Sequence, residues 1–519
     1  MTTRARPDRI GRSSRLLAAV LLVLGTVSWS ACTARGSAAG RPDPMSEVRN
    51  PRATEKARIR AMDAAWLRVQ HREADRTAVR EDLKTLAWSA SWPEPLRVHA
   101  LKTILSDTDP GGEEDSRRLI RLMLPREQQL PVIRVLCETA GARGWDDALP
   151  AMVRSLSRFD AATPDAERPE HRSIAALRPD ASVPETVLAV FLRPPDEAPG
   201  YGAQTAERVR ADAWDVLARL DPSGDVRATV LTEEVPTEDR GVLALRACLK
   251  ELHTLPRAGE ELTWLWSLRR DGDRMNAAWW AEAAAAIAPL YDERGRALEL
   301  RHAEPIRWAS RRRPDWLKAS RAELLSELEG RLRDRTVRRR IERDANEQPR
   351  SERLEDHAAK LTWGDLITIL VVDEAIREPA VAAALDAQVK LDREDKAAEY
   401  GGLLEAWRDA GGADGPKDGA SAFRVVLYPP RPGQRRGDHE FVASSDMIAQ
   451  GDSALAHYHF HAQELRSSAY AGPAPADLQY AARLGRTCLV FTSVSDGLMN
   501  ADLYQPDGVV IDLGDVRRP

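Results

Sequence analysis

The residues best suited to chemistry lie in a short histidine-rich stretch near the end of the chain. In residues 455–461, His457, His459 and His461 alternate with apolar or aromatic residues. A period of two predicts a β-strand from which all three imidazoles leave the same face. Alternate residues on one face of a strand lie roughly 6.6–7 Å apart. Two imidazoles at that spacing can converge on one metal ion, so the stretch predicts a metal site.

A turn and the start of a helix follow this strand. Residues 472–477 read GPAPAD, in which Pro475 suits the first helical position and Asp477 falls in the first turn. Two histidines and one aspartate would leave a fourth position open on zinc, which is the pattern of catalytic zinc sites. His459, His461 and Asp477 are therefore the candidate ligands of one zinc ion.

The arrangement resembles the motif of the JAMM (MPN-type) zinc metalloproteases, which has an upstream Glu, a His-x-His pair and then Ser-x-x-Asp. His459 and His461 match the pair, and Asp477 matches the Asp. Glu399 precedes the Gly-Gly-Leu-Leu of 401–404, just as the family's Glu precedes a Gly-Leu-Leu segment. The resemblance implies zinc held by the two His and the Asp, with Glu399 as general base on a bound water.

The chain departs from the family pattern at the Ser of that motif. Its position is occupied by Ala474, and the twelve residues 462–473 separate this position from His461, more than in the family. In the family the Ser hydroxyl assists the developing oxyanion. The substitution therefore affects the expected turnover more than the expected metal binding.

His457 has two alternative roles. It either supports the ligands from outside or replaces His461 in the pair. A pair of His457 and His459 would place Ser467 at the family's Ser position, but Tyr470 would then stand where the Asp belongs. We prefer His459 and His461, because that pair lies nearer the turn and keeps the aspartate.

The segments around the motif predict the layer that must hold it. Apolar runs predict strands that include 403–404, 423–428, 439–444, 488–492 and 509–513, and helical periodicity predicts helices at 380–399 and 476–484. The run LITILVV at 366–372 fits either a buried strand or a buried helix. The order of helix, strands, helix and strands indicates an α+β domain over 380–519, as the resemblance to the JAMM fold also implies.

Most of the chain before this domain has a helical composition. Over residues 56–345, helix-length segments alternate with short turns containing Asp, Pro or Gly, in a manner that resembles HEAT-like α-solenoid repeats. An irregular α-helical domain is the alternative. Prolines at 160–200 predict a loop-rich interruption, and 346–379 is interpreted as a linker. A helical repeat of this kind predicts a surface that binds a peptide or protein.

The N-terminus has the features of an export signal. Five arginines precede an apolar run at 16–27, which is too short to span a bilayer and fits a secretory signal peptide over 1–31. The small residues before Cys32 resemble a bacterial lipoprotein signal, which implies a lipid on Cys32 and a membrane anchor in the cell envelope. Signal cleavage that leaves Cys32 unmodified is the alternative. The Gly-, Ser- and Pro-rich residues 32–55 predict a flexible tether.

Length, composition and charge limit the classes of function. A chain of 519 residues with 43% hydrophobic residues predicts several globular domains, and its net charge of −5 gives no reason to expect a nucleic-acid partner. Cys137, Cys248 and Cys488 are isolated, which predicts buried free thiols. Two functions fit: a membrane-anchored zinc hydrolase of peptide or isopeptide bonds, and a non-catalytic envelope scaffold with a degenerate JAMM-like domain.

Overall fold

The computed structural model describes residues 43–158, 163–195, 204–229, 237–270, 272–290, 298–338, 351–407, 421–437, 441–462 and 471–518. Over these ranges a mostly helical region is followed by a mixed six-stranded sheet. This confirms the α-helical and α+β parts of the predicted fold, whereas the HEAT-like repeat stays a prediction. The predicted signal peptide 1–31 and Cys32 lie outside the described residues.

The chain divides into two compact units, Met1–Ala74 and Asp75–Pro519. The second unit contains both helices and sheet, so the predicted boundaries at 55, 345 and 379 do not coincide with the division. Among the described residues, no helix is both long and apolar enough to cross a bilayer.

The described part of the first unit contains two helices, α1 (Pro44–Arg49) and α2 (Glu55–Gln70). The Asp43 carboxylate accepts the N–H of Met45 at 3.1 Å and caps α1, and Pro44 suits the first helical position. Met45 and Val48, three residues apart, are buried. The segment predicted as a flexible tether, 32–55, therefore contains a short helix with an apolar side.

Helices make up the first part of the second unit. They are α3 (Arg76–Trp88), α4 (Glu94–Leu105), α5 (Pro110–Met123), α6 (Leu130–Arg143), α7 (Leu149–Leu156), α8 (Pro169–Leu177), α9 (Val183–Leu192), α10 (Gln204–Leu220), α11 (Asp225–Thr229), α12 (Arg240–Leu252), α13 (Gly259–Leu268), α14 (Arg274–Ile287), α15 (Ala303–Arg312) and α16 (Arg321–Leu332). Two of them, α8 and α9, lie in the stretch predicted as a loop-rich interruption. Their prolines, Pro169 and Pro184, stand in the first turns, where the missing N–H costs no helical hydrogen bond.

The sheet and its covering helices form the rest of the unit. The elements are α17 (Leu354–His357), α18 (Trp363–Arg377), α19 (Pro379–Glu394), β1 (Gly401–Ala406), β2 (Phe423–Leu427), α20 (Ser445–Gln450), β3 (Ala456–His461), α21 (Pro475–Leu484), β4 (Cys488–Ser495), β5 (Leu498–Tyr504) and β6 (Val510–Arg517). The LITILVV run belongs to α18, so the buried helix is the correct alternative. The segment predicted as a linker, 346–379, therefore holds a fully packed helix.

The strands follow the order β2-β1-β3-β4-β5-β6, with β3 and β4 parallel and the other pairs antiparallel. Helix α21 packs on one face through Ala481, against Cys488 and Val490 of β4. On the opposite face, Arg393 of α19 donates a hydrogen bond of 2.7 Å to the Ser493 hydroxyl. The histidine strand β3 therefore lies in the middle of a sheet that helices cover on both faces.

Three details of the predicted domain differ from the structure. The helix predicted for 380–399 ends at Glu394, which leaves Glu399 outside it. Residues 441–444 of the strand predicted at 439–444 are not in a strand, because Ser444 caps α20; the preceding residues, 438–440, lie outside the described ranges. Strand β5 was not predicted, since Asn500 and Asp502 break its apolar alternation. The three cysteines are free and buried, as predicted.

Helix α13 connects the helical region to the turn that leads into β3. The indole N–H of Trp264 donates to the Asp452 carbonyl at 2.8 Å, and the Ser267 hydroxyl donates to the Asp452 carboxylate at 2.5 Å. The Arg486 guanidinium, just before β4, lies 3.2 Å from the centre of the Trp264 ring. These contacts fix the starts of β3 and β4, the two strands at the centre of the sheet.

Glu261, also on α13, is expected to make the stability of the chain depend on pH. Burial and the negative charge of Glu299 raise its pKa to about 7. The hydrogen bond of 2.6 Å that it accepts from the Arg257 N–H acts in the opposite direction and lowers the pKa. Because the folded-state pKa lies above the ordinary value, the unfolding free energy should fall as pH rises from about 4.5 to 7. Glu261→Gln should therefore raise the unfolding midpoint at pH 8 and change it little at pH 4.5, as measured by thermal denaturation across this range.

The matched control is Glu260→Gln, which removes the same charge from the partly exposed neighbouring position. The difference between its unfolding midpoint and that of the parent chain should be the same at every pH. Parallel curves for Glu261→Gln as well would contradict the assignment of this pH dependence to Glu261.

Candidate metal centre

The pairing of β1 with β3 brings Glu399 to the histidine strand. The two strands are antiparallel, and a hydrogen bond of 3.0 Å from the Phe460 N–H to the Tyr400 carbonyl continues their ladder beyond β1. Glu399 is thereby set opposite His461. Residues directly opposed in an antiparallel pair share a face of the sheet, so the carboxylate and the imidazole meet.

The side chains of His459, His461 and Asp477 converge. The Nε2 atoms of the two histidines are 3.3 Å apart, and Oδ2 of Asp477 lies 3.4 Å from Nε2 of His459 and 3.7 Å from that of His461. Ligands at Zn–N distances of about 2.0–2.1 Å in a tetrahedral site would be about 3.3–3.4 Å from one another. The three donor atoms thus have the separations that a shared zinc ion requires.

Glu399 completes the group. Its carboxylate and the ring nitrogens of His459 and His461 all lie within 4.8 Å of one another, and all three residues are buried. Among the described residues, no set of three or more His, Cys, Asp and Glu side chains elsewhere in the fold meets this distance. The structure therefore brings together the four residues that the sequence singled out, and this buried Glu/His/His group could hold a metal ion.

The start of α21 holds Asp477 in place and ionised. The Ala474 N–H donates to Oδ2 of Asp477 at 2.7 Å, so the carboxylate caps its own helix. Burial would raise the pKa of Asp477, but the charges of His459 and His461 and this hydrogen bond hold it below its usual range. The pKa of His459 is raised, because the negative charges of Asp477 and Glu399 outweigh the effect of burial, which would lower it. An ionised carboxylate is the form that binds a metal.

Two residues that sequence reasoning missed, Phe441 and Tyr504, hold His459. The Phe441 ring stacks on its imidazole, with centroids 5.0 Å apart and planes at 14°, and contacts Tyr480 edge-on. Only a glycine fits at 401, because a Cβ there would overlap the Phe441 ring. The Tyr504 hydroxyl lies 3.5 Å from Nδ1 of His459, which leaves Nε2 for the cluster. Tyr504 was missed because its strand, β5, was not predicted, and Phe441 is an isolated aromatic residue that belongs to no motif.

His457 lies outside the group. Its Nδ1 is 2.9 Å from the Tyr480 hydroxyl, and its Nε2 faces Gly451, where a Cβ would be 2.9 Å away. Burial and the positive charge of Arg486 lower its pKa well below the ordinary value. His457 is therefore not part of the group, and its predicted role in supporting the ligands stays a prediction. Ser467 and Tyr470, which belonged to the alternative pairing, lie outside the described residues.

Comparison with known protein families, curated proteins and solved structures gives no match for this chain. The similarity to the JAMM motif therefore depends on Glu399, His459, His461 and Asp477 and on their geometry.

Proposed function

We propose that the chain is a JAMM-like zinc hydrolase that cleaves a peptide or isopeptide bond. In this proposal His459, His461 and Asp477 hold one zinc ion, and Glu399 is the general base. The observation that carries the proposal is the meeting of these four buried side chains from β3, the start of α21 and the segment before β1. Two imidazoles and one carboxylate leave a position open, as catalytic zinc requires.

The chemistry follows from this donor set. Zinc bound there would polarise a carbonyl group and lower the pKa of a water molecule to about 7. Glu399 would accept a proton from the attacking water and donate it to the leaving amine. Phe441 and Tyr504 keep the His459 ring oriented throughout. Ala474 offers no hydroxyl to the oxyanion, and its N–H already donates to Asp477, so we expect slow turnover.

We further propose that the helical region binds the peptide or protein substrate, and that a lipid on Cys32 anchors the exported chain to a bacterial membrane in the cell envelope. The lipoprotein-like sequence before Cys32 supports the anchor. The negative net charge supports a peptide or protein partner over a nucleic acid.

A second candidate function is a non-catalytic envelope scaffold with a degenerate JAMM-like domain. Ala474 favours it, because the residue that assists the oxyanion in the family is missing. A scaffold would bind its partner without cleaving it and would have no need of Glu399 as a base.

Elemental analysis of the purified full chain tests the proposed site. We expect about one zinc ion per chain in the parent, as one four-coordinate centre requires. His459→Ala and His461→Ala should each lose the zinc, while His171→Ala, a change on α8 far along the chain, should retain it. A parent chain without zinc, or zinc retained in both ligand variants, would rule out this centre.

A further inference from the structure

A second group of buried polar side chains lies on the same face of the sheet as the histidines. Across adjacent strands His459 faces Val490, Val490 faces Asp502, and Asp502 faces Asp512. Two strand spacings put Asp502 roughly 9–10 Å from His459 along the sheet. This second group is therefore distinct from the candidate zinc centre.

Asp502 is a fully buried carboxylate. It is 0% exposed, and neither oxygen has a hydrogen-bond partner among the described residues. Burial and the negative charges of Asp512 and Glu352 raise its pKa well above the ordinary value, although the Gly472 N–H favours the ionised form. A buried carboxylate in this state needs either a proton or a cation.

Asp512 and Asn500 supply further oxygen atoms beside Asp502. Opposed residues of a strand pair have Cβ atoms about 4.5–5.5 Å apart, which sets the Asp512 carboxylate next to that of Asp502. The Asn500 amide donates to Oδ1 of Asp512 at 2.9 Å, which orients the side chain. Oδ1 of Asn500 is fully buried and has no hydrogen-bond partner among the described residues. An unused amide oxygen thus lies beside two carboxylates.

The described residues around Asp502 and Asp512 concentrate negative charge. The Asp512 N–H donates to the Glu352 carbonyl at 2.9 Å, so Glu352, itself an acid and mostly buried, runs beside β6. In the described ranges no Lys, Arg or His side chain forms an ion pair with Asp502 or Asp512. The guanidinium of the nearby Arg338 pairs with Asp515, and its backbone N–H donates to Oδ2 of Asp512 at 2.5 Å. The register of β5 and β6 shifts between Asn500 and Asp502, and such bulges often re-aim side chains at functional sites.

We propose that Asp502, Asp512 and Asn500 bind a hard divalent cation, for which calcium is the probe. The donors are all oxygens, which calcium prefers, whereas zinc in proteins favours nitrogen and sulfur. Glu352 adds negative potential, and backbone carbonyls or water complete the coordination. The cation ties β5 to β6 and thereby supports Tyr504, the β5 residue next to His459. The site does not depend on the proposed hydrolase activity.

Calcium titration of the full chain, stripped with chelator and resupplied with zinc, tests this site. We expect equilibrium dialysis to detect bound calcium and the thermal unfolding midpoint to rise with calcium concentration. Asp502→Asn should abolish both responses. Asp496→Asn, the same change at an exposed position in the turn between β4 and β5, should preserve them. His459→Ala should also preserve them, which separates failure of this site from failure of the zinc centre.

Two outcomes would overturn the proposal. One is a parent chain that neither binds calcium nor gains stability from it. The other is an Asp502→Asn variant that is more stable than the parent by the same amount with and without calcium, which would identify Asp502 as a buried protonated acid. If Asp502→Asn does not fold, Asp512→Asn and the titration of the parent chain decide between these results.

Discussion

Glu399→Gln is expected to abolish bond cleavage while zinc stays bound. Glutamine has the size of glutamate but cannot accept a proton, and a general base typically contributes roughly 10²–10⁴-fold to the rate. The ligand atoms of His459, His461 and Asp477 are supplied by β3 and α21, so the metal should remain. Cleavage of peptide and isopeptide substrates and zinc content should be measured on the same preparation.

The control for this change is Glu394→Gln. It removes the same charge from an exposed position at the end of α19, five residues earlier. Its activity should equal that of the parent chain. Full activity in Glu399→Gln would exclude Glu399 as the base, and a zinc-loaded parent that cleaves no substrate would favour the scaffold.

Local sequence patterns were sufficient to find the candidate ligands. The alternation around His459 and His461 reports a strand directly, because its period is a property of neighbouring residues. The proline before Asp477 likewise reports a helix start within a few residues. The LITILVV run was ambiguous because an uninterrupted apolar run has no period. Only packing distinguishes α18 from a strand.

The contacts that complete the site depend on strand register, which local patterns do not contain. Glu399 was expected in a helix, yet it meets His461 because the β1–β3 ladder extends past the end of β1. Tyr504 reaches His459 from a strand two positions away in the sheet. That strand escaped detection because its buried face carries Asn500 and Asp502, where an apolar pattern would place hydrophobic residues. The polar residues that hid β5 are the ones we propose as a cation site.

Ala474→Ser is expected to increase turnover, in the opposite direction to the first variant. A serine hydroxyl has one donor and two acceptor positions, so it can accept the Asp477 N–H and still donate to a developing oxyanion. One such donor is worth ~2.7–4 kcal/mol, which corresponds to roughly 10²–10³-fold in kcat. The Asp477 carboxylate already accepts the N–H of residue 474, so the serine would complete a capping box and add about 1 kcal/mol of stability.

The two effects of Ala474→Ser are separable, which makes the variant a test of the catalytic role as well as of the helix cap. Ala476→Ser is the matched control, since it adds a hydroxyl at an exposed position in the first turn of α21 and should change neither kcat nor the unfolding midpoint. A raised unfolding midpoint without a raised kcat would mean that the hydroxyl caps α21 but does not face the reacting carbonyl. The longer connection after His461 would then direct the substrate along a path that residue 474 does not reach, and the oxyanion contact would have to come from another part of the chain.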